Sequence, residues 1–257
     1  MKTAVLVVSF GAVSSEARKN SLDKIENDIA KAFPDYYIYR AYTSGIVIRR
    51  IYENENIHID TLKEAFEKMR TNGITDVIVQ PTHMIDGIEY KKICRICDEH
   101  KDVFSSLKVG KALLEKYEDC IKTVDIISKE IDFNSSYEYI LMGHGSEDTA
   151  NIRYEQMNVA FVNQGLTNVR IATVEAKPDI DEAIERLGNK ENVKKVIIQP
   201  FMMVAGDHAK NDMAGEKNSF YSKVKDAGYD AKCVIMGLGE YKLIRNMIVE
   251  NLEGMIN

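Results

Sequence analysis

The chain has 257 residues, 45% of them hydrophobic and 29% charged, with a formal net charge of −6. That composition suits one large or two small domains with proper cores and excludes a disordered or fibrous chain. The acidic balance, with no dense Lys/Arg block, argues against a nucleic acid partner. No apolar run approaches the roughly 20 residues of a membrane helix, so neither a secretory signal nor a membrane anchor is expected.

Short β-branched runs alternate with amphipathic stretches along the whole chain. Thr3–Ser9 reads as a strand, and Ser14–Phe33 as a helix with Leu22, Ile25, Ile29 and Phe33 on one face. Tyr36–Tyr42, Asp76–Gln80 and Ser106–Gly110 read as further strands, and Asp60–Asn72 as a helix capped by Asp60 and stopped before Gly73. Cys94 and Cys97 form a C-x-x-C, but Ile93, Cys94, Ile96 and Cys97 recur at helical spacing with no turn, which favours two half-buried helix thiols over a redox pair. The four cysteines require no disulfide framework in a chain of this length, and the expected compartment is cytoplasmic. In the second half, Tyr137–Met142, Asn168–Val174, Val193–Gln199 and Ala231–Met236 read as strands. Alternation of this kind predicts an α/β protein with parallel sheets covered on both faces.

The chain also echoes itself. Val77-Ile78-Val79-Gln80-Pro81 returns as Val196-Ile197-Ile198-Gln199-Pro200, and Leu6–Gly11 returns as Ile140–Gly145. Glu115-Lys116-Tyr117 is echoed by Gly239-Glu240-Tyr241. Three echoes in one order predict two similar Rossmann-like lobes, residues 1–134 and 135–257, with a cleft between them.

In such sheets ligands bind beyond the carboxyl ends of the strands, where helix N-termini converge. The unusual residues cluster there. His144 stands between Gly143 and Gly145, Glu175 ends an apolar strand, and His208 lies in a Gly-Asp-His turn with Asp207 as a candidate partner. Two imidazoles and a carboxylate suit a borderline-soft ion such as cobalt, nickel, iron or zinc. Glu89 follows Pro81 and His208 follows Pro200 at the same interval of eight residues, so the repeat matches them across the cleft. His83, Phe10, Met84, Met202 and Met203 surround these positions and offer adaptable walls for a large flat ligand, with core packing as the plainer explanation of the methionines. His58 and His100 read as surface residues.

The segments Ile140–Ser146, Val174-Glu175 followed by Pro178, and above all Gln199–Gly215 (QPFMMVAGDHAKNDMAG) resemble the anaerobic cobalt chelatases of cobalamin biosynthesis. Ala41–Ser44 and Gln80–Tyr90 are similar to the same family, so the resemblance spans nearly the whole chain. Ala176, where the family carries Gly, and Ser219-Phe220, where it carries Trp, depart from it. The resemblance implies a two-lobed class II chelatase that needs no ATP and inserts Co²⁺, as substrate, into sirohydrochlorin or precorrin-2. It implies His144, Glu175 and His208 as metal ligands, with Glu89 also facing the cleft. Because an imidazole of ordinary pKa about 6.5 can accept a pyrrole proton, His144 is expected to take that second role, with Glu89 as a proton relay. Fe²⁺, Ni²⁺ or Zn²⁺ would bind the same ligands, so a chelatase for iron or nickel is the nearest alternative. A tetrapyrrole- or haem-binding protein and a zinc hydrolase are the alternatives from other classes. The sequence is compatible with a homo-oligomer and does not decide it.

Overall fold

A computed structural model describes residues 2–256. In chain order the first strands and helices are β1 (Thr3–Ser9), α1 (Ser15–Asn20), α2 (Leu22–Ala32), β2 (Tyr37–Tyr42), α3 (Gly45–Glu55), α4 (Leu62–Thr71), β3 (Asp76–Pro81), α5 (Ile88–His100) and β4 (Ser106–Val109). There follow α6 (Tyr117–Glu130), β5 (Tyr137–Gly143), α7 (Ile152–Asn163), β6 (Val169–Thr173), α8 (Ile180–Glu185), β7 (Lys195–Pro200), α9 (Phe220–Asp226), β8 (Ala231–Cys233) and α10 (Lys242–Ile256).

The strands form two four-stranded sheets in the orders β2-β1-β3-β4 and β6-β5-β7-β8, all neighbours parallel. Both are the same topology written twice, as the sequence echoes predict. The repeat holds at single residues: Pro81 pairs with Val8 and Pro200 with Met142. One residue on, Thr82 N–H donates to Val8 O at 2.9 Å and Phe201 N–H to Met142 O at 2.7 Å. Each central strand is buried on both faces, which is why β1 reads as the unbroken run Ala4-Val5-Leu6-Val7-Val8 rather than an alternation.

The chain divides into two compact units, one of residues 1–113 with 245–257 and the other of residues 114–244. The boundary expected at residue 134 therefore moves, because each half of the sequence lends a helix to the other unit. In the second unit, the thiol of Cys120 on α6 contacts Arg153 O at 3.9 Å, and Asn163 at the end of α7 donates to the Tyr117 hydroxyl at 3.0 Å. In the first unit, Arg245 on α10 pairs with Asp28 on α2 at 2.7 Å, and Lys108 on β4 donates to Met255 O at 2.8 Å.

Two helices differ from the sequence reading. Ser14–Phe33 is interrupted at Ser21, which leaves helical geometry at φ −124°, ψ −77°. The first piece is pinned by the buried Arg18, whose guanidinium donates to Ala12 O and Val13 O and pairs with Glu55. The cap of α4 is Thr61 rather than Asp60: Thr61 and Glu64 satisfy each other's backbone N–H groups in a capping box, and the Asp60 carboxylate is engaged with Lys68 at 3.0 Å. The C-x-x-C lies on α5, where burial pushes the Cys97 thiol up to about 12, the opposite of what a redox thiol needs. No helix among the described residues is long and apolar enough to cross a membrane.

Candidate functional site

In the second unit the end of β5 delivers His144 into a turn that only glycines permit. A Cβ on Gly143 would lie 2.6 Å from the Tyr154 ring. Gly145 has φ +90°, and a Cβ there would meet Ala176 N at 2.9 Å and Thr173 Oγ1 at 3.0 Å. Beneath the turn, the backbone of His144 and Gly145 hydrogen-bonds the hydroxyl of Tyr154, a phenol that burial pushes up to about 12 and so keeps neutral. Glu175 N–H donates to His144 O at 3.0 Å, tying the end of β6 to the same turn.

Three of the expected ligands come together here. The rings of His144 and His208 lie 4.7 Å apart between centroids and nearly perpendicular, at 87°. Glu175 Oε2 stands 3.5 Å from His144 Nδ1. All three side chains are part-exposed, between 39% and 54%, so an ion from solvent can reach them. His144 Nδ1 is also 3.1 Å from Gly145 O, and a carbonyl only accepts, so this nitrogen carries the proton and Nε2 keeps the lone pair. Glu175 thus sits beside Nδ1 rather than beside Nε2. Among the described residues no group of three or more His, Cys, Asp or Glu side chains is gathered tightly enough to hold a metal ion. Two imidazoles are adjacent, and the carboxylate lies beside one of them.

His208 immediately precedes a π-helical turn, Ala209–Met213, and its Nδ1 lies 2.7 Å from Asp212 Oδ2. The sequence points to Asp207 as a helix-start or acceptor residue and does not single out Asp212. The signal was the four-residue interval, which puts two side chains on one helical face once the segment is known to coil.

The first unit carries the other candidates at the corresponding edge of its sheet. His83 follows β3, and both of its ring nitrogens are buried without a hydrogen-bond partner. Burial drives its pKa down to about 4, with the nearby Lys92 adding to the shift and Glu89 opposing it, so the ring is neutral at pH 7. Glu89 lies in the first turn of α5, with Oε2 3.7 Å from Lys92 Nζ. Lys92 in turn donates to Thr43 O at 3.0 Å, joining α5 to the end of β2.

The repeat shows what stands in the first unit at the places of His144 and Glu175. Thr43 N–H bonds to Ser9 O as Val174 N–H bonds to Gly143 O, and Ser44 N–H bonds to Phe10 O as Glu175 N–H bonds to His144 O. Phe10 and Ser44 thus occupy in the first unit the places of His144 and Glu175 in the second. Neither is a metal ligand. Phe10 is exposed, as a wall for a flat ligand must be, whereas Met84 and Met203 are buried and Met202 packs against the core. For these methionines core packing is a better description than an open substrate wall, and in the second unit the chain after β8 returns over this segment, where Leu238 N–H and Gly239 N–H bond to the carbonyls of Met202 and Met203. His58 is exposed as expected, while His100 is half-buried against the Phe66 ring at 5.2 Å.

The chain is similar to known proteins. A sirohydrochlorin cobaltochelatase of Salmonella typhimurium is 34% identical over 259 residues, covering 100% of this chain and 97% of that protein. The sirohydrochlorin cobaltochelatase CbiKC of Nitratidesulfovibrio vulgaris is 26% identical, covering 100% of this chain and 91% of its own. In fold the chain is similar to the solved structure of SirB from Bacillus subtilis with Fe³⁺, at TM-score 0.66 and 15% identity, covering 98% of this chain and 95% of that one. The family model described as cobalt chelatase (CbiK) matches residues 3–257, and the chain belongs to that family of metal chelatases.

Proposed function

We propose that this chain inserts Co²⁺ into sirohydrochlorin, releasing two pyrrole protons, and that His144, His208 and Glu175 carry the ion to the macrocycle. The observation that carries this reading is the perpendicular pair of imidazoles at 4.7 Å with an exposed carboxylate 3.5 Å from one of them, in a chain of the cobalt chelatase family.

The chemistry sets the order of events. Co²⁺ must lose water, and the tetrapyrrole must lose two N–H protons. His144 offers a single lone pair, at Nε2, because its Nδ1–H is committed to Gly145 O. One lone pair cannot hold the ion and take a proton at once, so the two roles of His144 are successive: it releases Co²⁺ to the ring and then accepts a pyrrole proton. His208 and Glu175 keep the ion in place meanwhile. Glu89 and the neutral His83 serve the substrate, Glu89 by relaying protons and His83, buried beside it, by keeping the wall of the site uncharged. Four free thiols accord with the reducing cytoplasm, where we place the reaction.

Nickel binds imidazole ligands more tightly than cobalt does, so the donor set alone does not choose the metal. The test is anaerobic mixing of the protein with sirohydrochlorin and Co²⁺, Ni²⁺ or Fe²⁺ in parallel while the absorption spectrum is followed. Multiple turnovers that are fastest with Co²⁺ are expected. Stoichiometric binding of tetrapyrrole and metal without their union would identify a binding protein and overturn the proposal.

A further inference from the structure

We propose that Asp212 is the residue that positions His208 for metal transfer; this rests on the reading above, in which His208 is a ligand. The two imidazoles of the site are oriented by different means. His144 is held by the glycine turn, by Gly145 O and by the buried Tyr154 beneath it. His208 has a side chain 40% exposed, and its ring nitrogen contact is Asp212 Oδ2 at 2.7 Å.

A carboxylate accepts and does not donate, so this contact places the His208 proton on Nδ1 and leaves the Nε2 lone pair available. Both rings of the site therefore present the same nitrogen to an ion. A carboxylate at Nδ1 also raises the basicity of the ring as a ligand, and partners of this kind usually matter about 10- to 100-fold in metal affinity.

The turn that carries Asp212 is built to hold it still. Ala209 and Met213, on either side, are fully buried in the second unit's core, and the Cys233 thiol contacts Met213 O at 3.8 Å. The segment coils as a π-turn, a widened form common where a side chain must be aimed. Asp212 itself is 43% exposed, so its carboxylate stands at the surface while its backbone is anchored.

The test uses the full chain and the metal alone before any turnover. Co²⁺ is titrated into wild type, Asp212→Ala and Asp212→Asn, followed by calorimetry and by the visible cobalt absorption. The His208 tautomer is read from ¹⁵N shifts. The expected result is a Co²⁺ affinity reduced roughly 10- to 100-fold in Asp212→Ala, with loss of the Nδ1–H tautomer. The melting temperature and the KM for sirohydrochlorin should stay unchanged. Asp212→Asn, whose amide oxygen still accepts, should fall between. Unchanged Co²⁺ affinity in Asp212→Ala, or a lowered melting temperature with both KM values raised, overturns the positioning role alone. A wild-type protein that binds no Co²⁺ overturns the metal-transfer reading with it.

Discussion

His144 occupies a turn whose geometry does not depend on its side chain, since Gly143, Gly145 and the Tyr154 hydroxyl fix the backbone around it. Substitution of His144 by Ala should therefore abolish metal insertion with a change in stability within about 0.5 kcal/mol. The loss should appear in kcat more than in the KM for tetrapyrrole. Steady-state rates at limiting Co²⁺ that stay near wild type would refute both roles given to the residue. Gly145→Ala, by contrast, should impair folding and activity together, because φ +90° and the 2.9 Å approach to Ala176 N leave no room for a Cβ. His83 supplies a pH signature. Its folded pKa of about 4 lies below the unfolded 6.5, so the unfolded chain binds the proton more readily, and stability falls as pH drops from about 6.5 to 4. The wild type should lose about 3 kcal/mol through this group by pH 4, and His83→Gln should be spared that part. Equal losses in denaturant melts at pH 7 and pH 4 would show that His83 is not buried neutral. The sequence exposed His144, Glu175 and His208 because glycines and strand ends flag them locally. Asp212 was hidden because its role depends on the segment coiling.

At the level of elements, the strands were legible because a parallel strand buried on both faces is an apolar run with sharp ends. Thr3–Ser9 is recovered residue for residue, whereas the expected Ala231–Met236 shrinks to Ala231–Cys233. That strand is the sheet edge, pairing only with β7, so fewer ladder bonds define its end. Helix boundaries were less legible, since Ser21 breaks the first helix for a tertiary reason, the seating of Arg18, that no local pattern encodes. The last helix is held by a pair that can be tested. Arg245 and Asp28 meet at 2.7 Å with side chains only 10% and 12% exposed. Arg245→Ala should cost about 3 kcal/mol, because it removes one partner of a largely buried ion pair. Arg245→Met with Asp28→Leu should recover much of that in chemical denaturation. A single variant as stable as wild type would mean that α10 docks through its apolar face alone.

For the whole molecule, the repeat was readable but its seam was not. An echo marks where similar segments recur, and it carries no information about which sheet a connecting helix will cover. Residues 114–244 form one uninterrupted unit, while the other unit needs residues from both ends of the chain. A fragment of residues 114–244 should therefore fold alone and retain Co²⁺ binding, since His144, Glu175 and His208 all lie within it. A fragment cut at the sequence echo, residues 135–257, should be insoluble for want of α6. Circular dichroism and cobalt titration of the two fragments would decide the matter, and a stable 135–257 fragment would contradict it. The exchanged helices also order events on the ribosome. Domains complete themselves once their last element has emerged. The second unit has every residue it needs when Ile244 is made, whereas the unit begun by β1 waits for α10, made after all of the second unit. The half translated first is the half that finishes folding last, and until α10 has emerged the place it takes in the first unit stays open to chaperones.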